Sequence, residues 1–180
     1  MPKPGPDPVH LTRHAVATLA YRAGKALRRF PVAARTFRAG AATRTPLAIL
    51  SHMGDLMGWA ERMARGEMRW APEADANWRA AETRFFAGLA ALDRALARRA
   101  PVAATLEKLV QGPIADALTH TGQLALLRGL CGKGVRPESY GRADIRVGKV
   151  GREQPAPVAE FDGDASRPAG KPPAKRGGRR

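Results

Sequence analysis

Helical periodicity is the feature that most limits the fold of this 180-residue chain. Four segments repeat apolar residues at helical spacing, and we find no run of the apolar–polar alternation that is typical of strands. Two of these segments begin with a capping residue followed by proline, at Asp7-Pro8 and Thr45-Pro46. Glycine or proline follows the end of each segment, as is common at helix termini. The pattern predicts four long helices, at about residues 8–30, 46–65, 73–100 and 113–131.

The connection before the last of these helices contains a further short segment. Residues 102–110 are predicted to form one short helix, after which Gly112-Pro113 begins the fourth long helix. We predict an all-α, up-and-down four-helix bundle over residues 8–150. Residues 1–7 are predicted to be a flexible leader, and residues 151–180 a linker and a disordered basic tail.

The chain is strongly basic, with 31 Lys and Arg residues against 16 Asp and Glu residues and a net charge of +15. Residues 165–180 hold six of these cations and no acid. A nucleic-acid-binding surface usually combines its cations with aromatic residues or carries them on a helix, and this tail does neither. We therefore do not expect nucleic acid to be the main partner, and association through the tail is the weakest of the alternatives.

Several classes of protein are excluded by features that the chain lacks. Cys131 is the only cysteine, which excludes an intramolecular disulfide and a zinc ribbon. No uncharged apolar run approaches the ~20 residues that span a bilayer, and the first residues lack the apolar region of a signal peptide. We therefore expect a cytoplasmic protein without a membrane segment. Motifs of P-loop, dinucleotide-binding, esterase and zincin sites are also missing.

Three polar residues share the apolar face of the fourth long helix. At ~100° per residue, Asp116, His120 and Gln123 point in the same direction as the leucines of that helix. A buried carboxylate without a partner is costly and normally recruits a cation or a hydrogen-bond network. Residues four apart have Cβ atoms about 6 Å apart, close enough for Asp116 and His120 to share one metal ion. An ordinary charge pair between these two residues is the alternative.

The second helix offers a third ligand at His52, which faces the bundle interior or its rim. Two imidazoles and one carboxylate predict a three-ligand metal site with an open position for water or substrate. A histidine satisfied by hydrogen bonds within the core is the alternative for His52. Asp55 lies further round the same helix and is predicted either to support the ligands from behind or to be solvated. His10 and His14 also lie four residues apart, but nothing nearby supports them as ligands.

Two segments, TRTPLAILSHMGDLMGWA and GPIADALTHTGQLALLRGLCG, resemble the two signature segments of the DinB/YfiT-like superfamily. The first match is His52 with Trp59 downstream of it. The second segment matches at several positions, which are His120, Gly122, Gln123 and Arg128. The resemblance covers about residues 8–150 and leaves the tail outside it. Asp116 stands where the family usually has its middle histidine.

The resemblance implies a DinB-like four-helix bundle that is a metal-dependent enzyme, either a hydrolase or a thiol transferase. Its substrate would be a small molecule, with a low-molecular-weight thiol as one candidate. The metal would be divalent Zn, Ni, Mn or Fe, since a carboxylate at position 116 is a competent ligand for each of them. Gln123 would orient a ligand, and Gly122 would let a neighbouring helix approach closely. No residue is identified as catalytic. A non-catalytic bundle with a structural or interaction role is the alternative function. A homodimer is a further possibility for the oligomeric state.

Overall fold

The computed structural model describes residues 7–98 and 103–162, and its regular structure is helical. Its five α-helices are α1 (Pro8–Leu27), α2 (Pro46–Ala64), α3 (Trp78–Arg98), α4 (Ala103–Leu109) and α5 (Ala115–Leu130). Two 3-10 turns occur at Val32–Ala34 and Tyr140–Arg142. The described part of the chain contains no strand, only an isolated bridge between Glu138 and Glu160. The predicted all-α class is therefore confirmed, whereas the up-and-down order and the DinB-like relationship stay predictions.

Helices α1 and α2 begin at the two predicted capping sites. The Asp7 carboxylate accepts a hydrogen bond from the backbone N–H of Val9 at 2.9 Å, and the Thr45 hydroxyl accepts one from Ala48 at 3.1 Å. The prolines that follow occupy the first helical positions, where a missing N–H costs no hydrogen bond. The predicted leader lies, except for its last residue, outside the described residues, as does the tail beyond residue 162.

The fourth long helix does not begin where the sequence predicts. Helices α4 and α5 form one continuous helical run, joined by a π-helical turn at Val110–Ile114 that contains Pro113. Proline lacks an N–H and its ring crowds the preceding turn, which usually breaks a helix. The wider π turn accommodates the ring, so the helical run continues through Pro113 and is not restarted there.

A single apolar core lies between the helices. It collects buried residues from every α-helix and from Val150 near the end of the described chain. Among its largest fully buried side chains are Tyr21, Met53, Phe85 and Leu124. Helix α2 packs along α3, and α5 contacts both α1 and α2. No helix of the described residues combines the length and the apolarity needed to cross a bilayer.

Among the described glycines, the tightest contact between two helices occurs at Gly88 of α3 and not at the predicted glycine. A Cβ atom on Gly88 would lie 2.7 Å from the Cβ atom of Met57 in α2, so only glycine fits there without a shift. A Cβ atom on Gly122 would meet no atom within 4 Å. The prediction that Gly122 lets a neighbouring helix approach closely is therefore wrong.

The packed part of the chain extends past residue 150. The Glu138 carboxylate is fully buried and accepts hydrogen bonds from the Tyr21 hydroxyl and the Lys25 ammonium group of α1, each at 2.7 Å. Lys25 also pairs with Glu160 at 2.9 Å. These contacts hold the segment after α5 against α1, including described residues of the predicted linker.

Candidate metal centre

Three predicted ligands meet between helices α2 and α5. His52 Nε2 lies 3.5 Å from Asp116 Oδ2, and His120 Nε2 lies 3.4 Å from Asp116 Oδ1. One ligand atom from each residue lies within 4.8 Å of the other two. Two ligand atoms at zinc-like bond lengths are about 3.3 Å apart in a tetrahedral site. The three residues therefore lie within ligand distance of one another and could hold a metal ion.

The local structure of each helix explains this arrangement. Asp116 and His120 are one helical turn apart on α5, so their side chains project from the same face. His52 projects from α2, which packs against α5, and the two imidazole rings are 5.0 Å apart at an angle of 85°. The ligand pair therefore depends on one helix, and the third ligand depends on the packing of two.

Gln123 contacts one of the two ring nitrogens of His120 and leaves the other available to a metal. The Oε1 atom of Gln123 lies 2.7 Å from His120 Nδ1, and an amide oxygen can only accept a hydrogen bond. In the Nδ1–H tautomer, His120 donates this hydrogen bond to Gln123, and its Nε2 presents a lone pair toward Asp116. This partner on the second ring nitrogen is typical of histidines that bind metals.

His52 has the protonation that a ligand requires. Burial lowers the pKa of His52 from its ordinary value, and the nearby His120 and Arg44 lower it further, while Asp116 opposes them. A lowered pKa keeps the imidazole neutral at neutral pH, and the neutral imidazole is the form that binds metals.

The site is open on the side of Asp116 and bordered by tryptophan. The side chain of Asp116 is 44% exposed, compared with 24% for His52 and 11% for His120. Trp70 approaches His52 edge-on, with ring centroids 5.9 Å apart, and also contacts Trp59 at 5.6 Å. Sequence reasoning did not identify Trp70, because it lies in an irregular loop whose position no periodic pattern indicates.

Asp55 does not join the three ligands. It accepts hydrogen bonds from the Arg84 guanidinium at 2.7 Å and from the backbone N–H of Glu73 at 2.9 Å. Arg84 also binds Asp75 at 2.6 Å, so these groups fasten the loop between α2 and α3. This loop carries Trp70, so Asp55 acts on the border of the site and has no hydrogen bond to a ligand. Its distant partner Arg84 could not be identified from local spacing.

The other singled-out residues lie elsewhere. His10 and His14 are exposed on α1, and no metal-compatible group among the described residues includes them. Cys131 is half-buried at the end of α5. Arg128 donates to the backbone carbonyls of Ala26 and Arg28, so it joins the ends of α5 and α1.

Comparison with known proteins gave no relative. The chain matches no protein-family model, and neither the curated proteins nor the solved structures gave a match.

Proposed function

We propose that this chain is a DinB-like, metal-dependent enzyme that binds one divalent transition metal through His52, Asp116 and His120. It would act on a small molecule as a hydrolase or as a thiol transferase. The observation that carries the proposal is the convergence of two imidazole nitrogens and a carboxylate within 4.8 Å. This donor set suits Zn, Ni, Mn and Fe(II), which all accept imidazole together with carboxylate.

The charges between the ligands also favour a cation. With its proton on Nδ1, His120 presents an Nε2 lone pair to a carboxylate oxygen 3.4 Å away, so two acceptors face each other. Such a contact is unfavourable unless a positive charge or a proton lies between the two atoms. At 3.4 Å the separation is longer than a good hydrogen bond of about 2.7–3.2 Å and close to the ~3.3 Å between two ligand atoms of a tetrahedral zinc site.

The residues around the ligands would prepare the site for a substrate. A divalent metal bound there would act as a Lewis acid toward a carbonyl group, water or a thiol. Asp116 supplies one negative charge that partly neutralises the cation, and Gln123 holds the ring of His120 in one orientation. Trp70 forms an apolar border beside His52, where the non-reacting part of a small molecule would pack.

A second function is compatible with the same contacts. If His120 is protonated, the imidazolium and Asp116 form an i,i+4 ion pair, and the chain is a helical protein with a structural or interaction role. This alternative needs no metal, and the two candidates therefore differ in metal content.

The test is the metal content of the untagged, purified chain, measured by plasma mass spectrometry. We expect about one transition metal per chain, and we expect it to be lost in the variant Asp116→Ala/His120→Ala. The matched control is His10→Ala/His14→Ala, which removes a pair of residues at the same spacing from α1 and should keep its metal. A wild-type chain that is empty and also refuses added Zn²⁺, Ni²⁺ and Mn²⁺ would contradict the proposal.

The loaded protein then serves to test the reaction. Ester, amide and thiol-transfer substrates would be assayed with wild type and with His52→Ala. Turnover that depends on His52 supports an enzyme, whereas a metal-loaded chain that turns over none of these substrate classes would contradict the hydrolase and thiol-transferase assignments.

A further inference from the structure

A cavity of about 330 Å³ lies where the ends of α1 and α5 meet the segment that follows α5. Its lining is strongly basic, with five cations and one acid. The charged lining residues are Lys25, Arg28, Arg29, Arg128, Arg136 and Glu160. Arg128 is eight residues beyond His120 on α5, which is about 12 Å along the helix axis. The cavity is therefore separate from the candidate metal centre.

Three of the five cations have no acidic partner among the described residues. Lys25 pairs with Glu160 at 2.9 Å, and Arg136 pairs with Asp162 at 2.7 Å. Across residues 7–98 and 103–162, by contrast, no ion pair forms at the other three cations. These unpaired residues are Arg28, Arg29 and Arg128.

Arg128 is the most constrained of these cations. Its guanidinium is half-buried and donates to three backbone carbonyls, those of Ala26, Arg28 and Lys133, at 2.6–2.9 Å. Burial lowers the pKa of Arg128 from its ordinary value, because no carboxylate compensates for the lost hydration. Carbonyl oxygens fix the orientation of the guanidinium but leave its charge without a counter-ion. An anion in the cavity would supply that counter-ion.

Arg29 supports the same conclusion through its backbone. Its φ angle is 53°, and it is the one non-glycine residue with a positive φ in the described part of the chain. It follows the end of α1, a position where glycine is common because it adopts this conformation without strain. Strained residues concentrate at functional sites, and here the strain accompanies a guanidinium in the lining of the cavity.

We propose that this cavity binds a small phosphorylated ligand, with the phosphate as the counter-ion of Arg28, Arg29 and Arg128. The guanidinium group donates two parallel hydrogen bonds to phosphate oxygens, and several such groups suit an anion with more than one negative charge. The volume is at the lower end of the range for ligand pockets, about 300–1,000 Å³, which suits a small molecule.

Calorimetric titration of the full, metal-free chain with inorganic pyrophosphate tests the proposal. Metal is removed beforehand so that pyrophosphate cannot bind a metal at His52, and the result is then independent of the proposed enzyme function. We expect wild type to bind at 0.15 M salt and Arg28→Glu/Arg29→Glu to bind at least tenfold more weakly. The matched control Arg94→Glu/Arg98→Glu reverses two exposed charges on α3 and should change the affinity less than twofold.

Arg29→Gly provides a milder test that the fold tolerates, since glycine suits the φ angle at this position. We expect a weaker affinity for pyrophosphate with a melting temperature no lower than that of wild type. Failure of wild type to bind, or unchanged affinity in both Arg29 variants, would overturn the proposal. Displacement of pyrophosphate by a short DNA duplex would also overturn it, since the cavity would then be part of a nucleic-acid surface.

Discussion

The hydrogen bond between Gln123 and His120 determines the chemistry of the candidate centre at the scale of one residue. At 2.7 Å, the bond favours the Nδ1–H tautomer of His120, in which Nε2 carries the lone pair that a metal would bind. Without this bond the ring could rotate or take the other tautomer, and either change would remove the lone pair that faces Asp116. The contribution of Gln123 is therefore expected in affinity, although it binds no metal itself.

Gln123→Ala should weaken metal binding by about 10- to 100-fold, the usual effect of removing such a partner. Gln123→Glu is the matched control, because a carboxylate oxygen can accept the same hydrogen bond and should preserve the affinity. Competition with a chromophoric chelator measures both values. Equal affinity in Gln123→Ala and wild type would show that the ring is held by packing alone.

The juxtaposition of the candidate ligands on one helix could be predicted from the sequence, and their surroundings could not. Asp116, His120 and Gln123 are related by helical spacing, which depends only on local geometry. The contacts of Asp55 could not be predicted, because its partner Arg84 is 29 residues away in the sequence and comes from another helix. Such a contact forms only when the tertiary structure forms, and spacing along one helix does not reveal it.

The packing of α2 against α3 depends, at the scale of the element, on the missing side chain of Gly88. A methyl group there would lie 2.7 Å from the Cβ atom of Met57, an atom attached to the backbone that cannot rotate away. The two helices would have to separate, which would also disturb the helix that carries His52. The contact between Gly88 and Met57 is thus linked to the position of His52, a candidate ligand.

Gly88→Ala should lower the free energy of unfolding by about 1–3 kcal/mol, the usual cost of overpacking. Gly122→Ala is the control with the opposite sign, since a methyl group there meets no atom within 4 Å. Alanine in a helix interior is favoured over glycine by about 0.5–1 kcal/mol, so this variant should be more stable. Urea denaturation of the two variants measures both changes. A stabilised Gly88→Ala would mean that α2 and α3 have room to adjust.

The π turn explains why the start of one helix differs from the prediction while the spacing of its candidate ligands does not. Proline and glycine at 112–113 normally end a helix, and nothing local indicates that a wider turn would accommodate them. The wider turn at Val110–Ile114 rotates the side chains of α5 relative to those of α4. Within α5 the spacing is regular, so the relation between Asp116 and His120 is unaffected.

At the scale of the whole molecule, ion pairs hold the segment after α5 against α1. Glu138 contacts Tyr21 and Lys25, residues 117 and 113 positions earlier in the chain, and Glu160 of the predicted linker also pairs with Lys25. The sequence after 150 has no apolar periodicity, and for that reason it was predicted to be a linker. Its contacts are charged and distant in sequence, which a search for periodic apolar residues cannot detect.

Acid should weaken the contacts of Glu138 with α1. Burial raises the pKa of Glu138, but hydrogen bonds from Lys25 and Tyr21 outweigh it and hold the pKa below its ordinary value of 4.5. A carboxyl group with a lowered folded-state pKa stabilises the fold above its unfolded-state pKa, and this stability is lost as the pH falls through the folded-state value. The free energy of unfolding should therefore decrease below about pH 4.5, partly through Glu138.

Glu138→Gln should cost about 1–3 kcal/mol at pH 7, the usual cost of disrupting a buried hydrogen-bonded group, because Lys25 keeps Glu160 as a partner. The loss between pH 7 and pH 3 should be smaller than in wild type, because the titrating group is gone. Urea denaturation at both pH values measures the two effects, and Glu153→Gln, at an exposed glutamate of the same segment, serves as the control. Identical pH dependence in wild type and Glu138→Gln would assign the acid sensitivity to other carboxylates. Asp75 would then be the next to test. Burial raises the pKa of Asp75, but its hydrogen bonds, chiefly from Arg84, outweigh this effect and lower the pKa below its ordinary value.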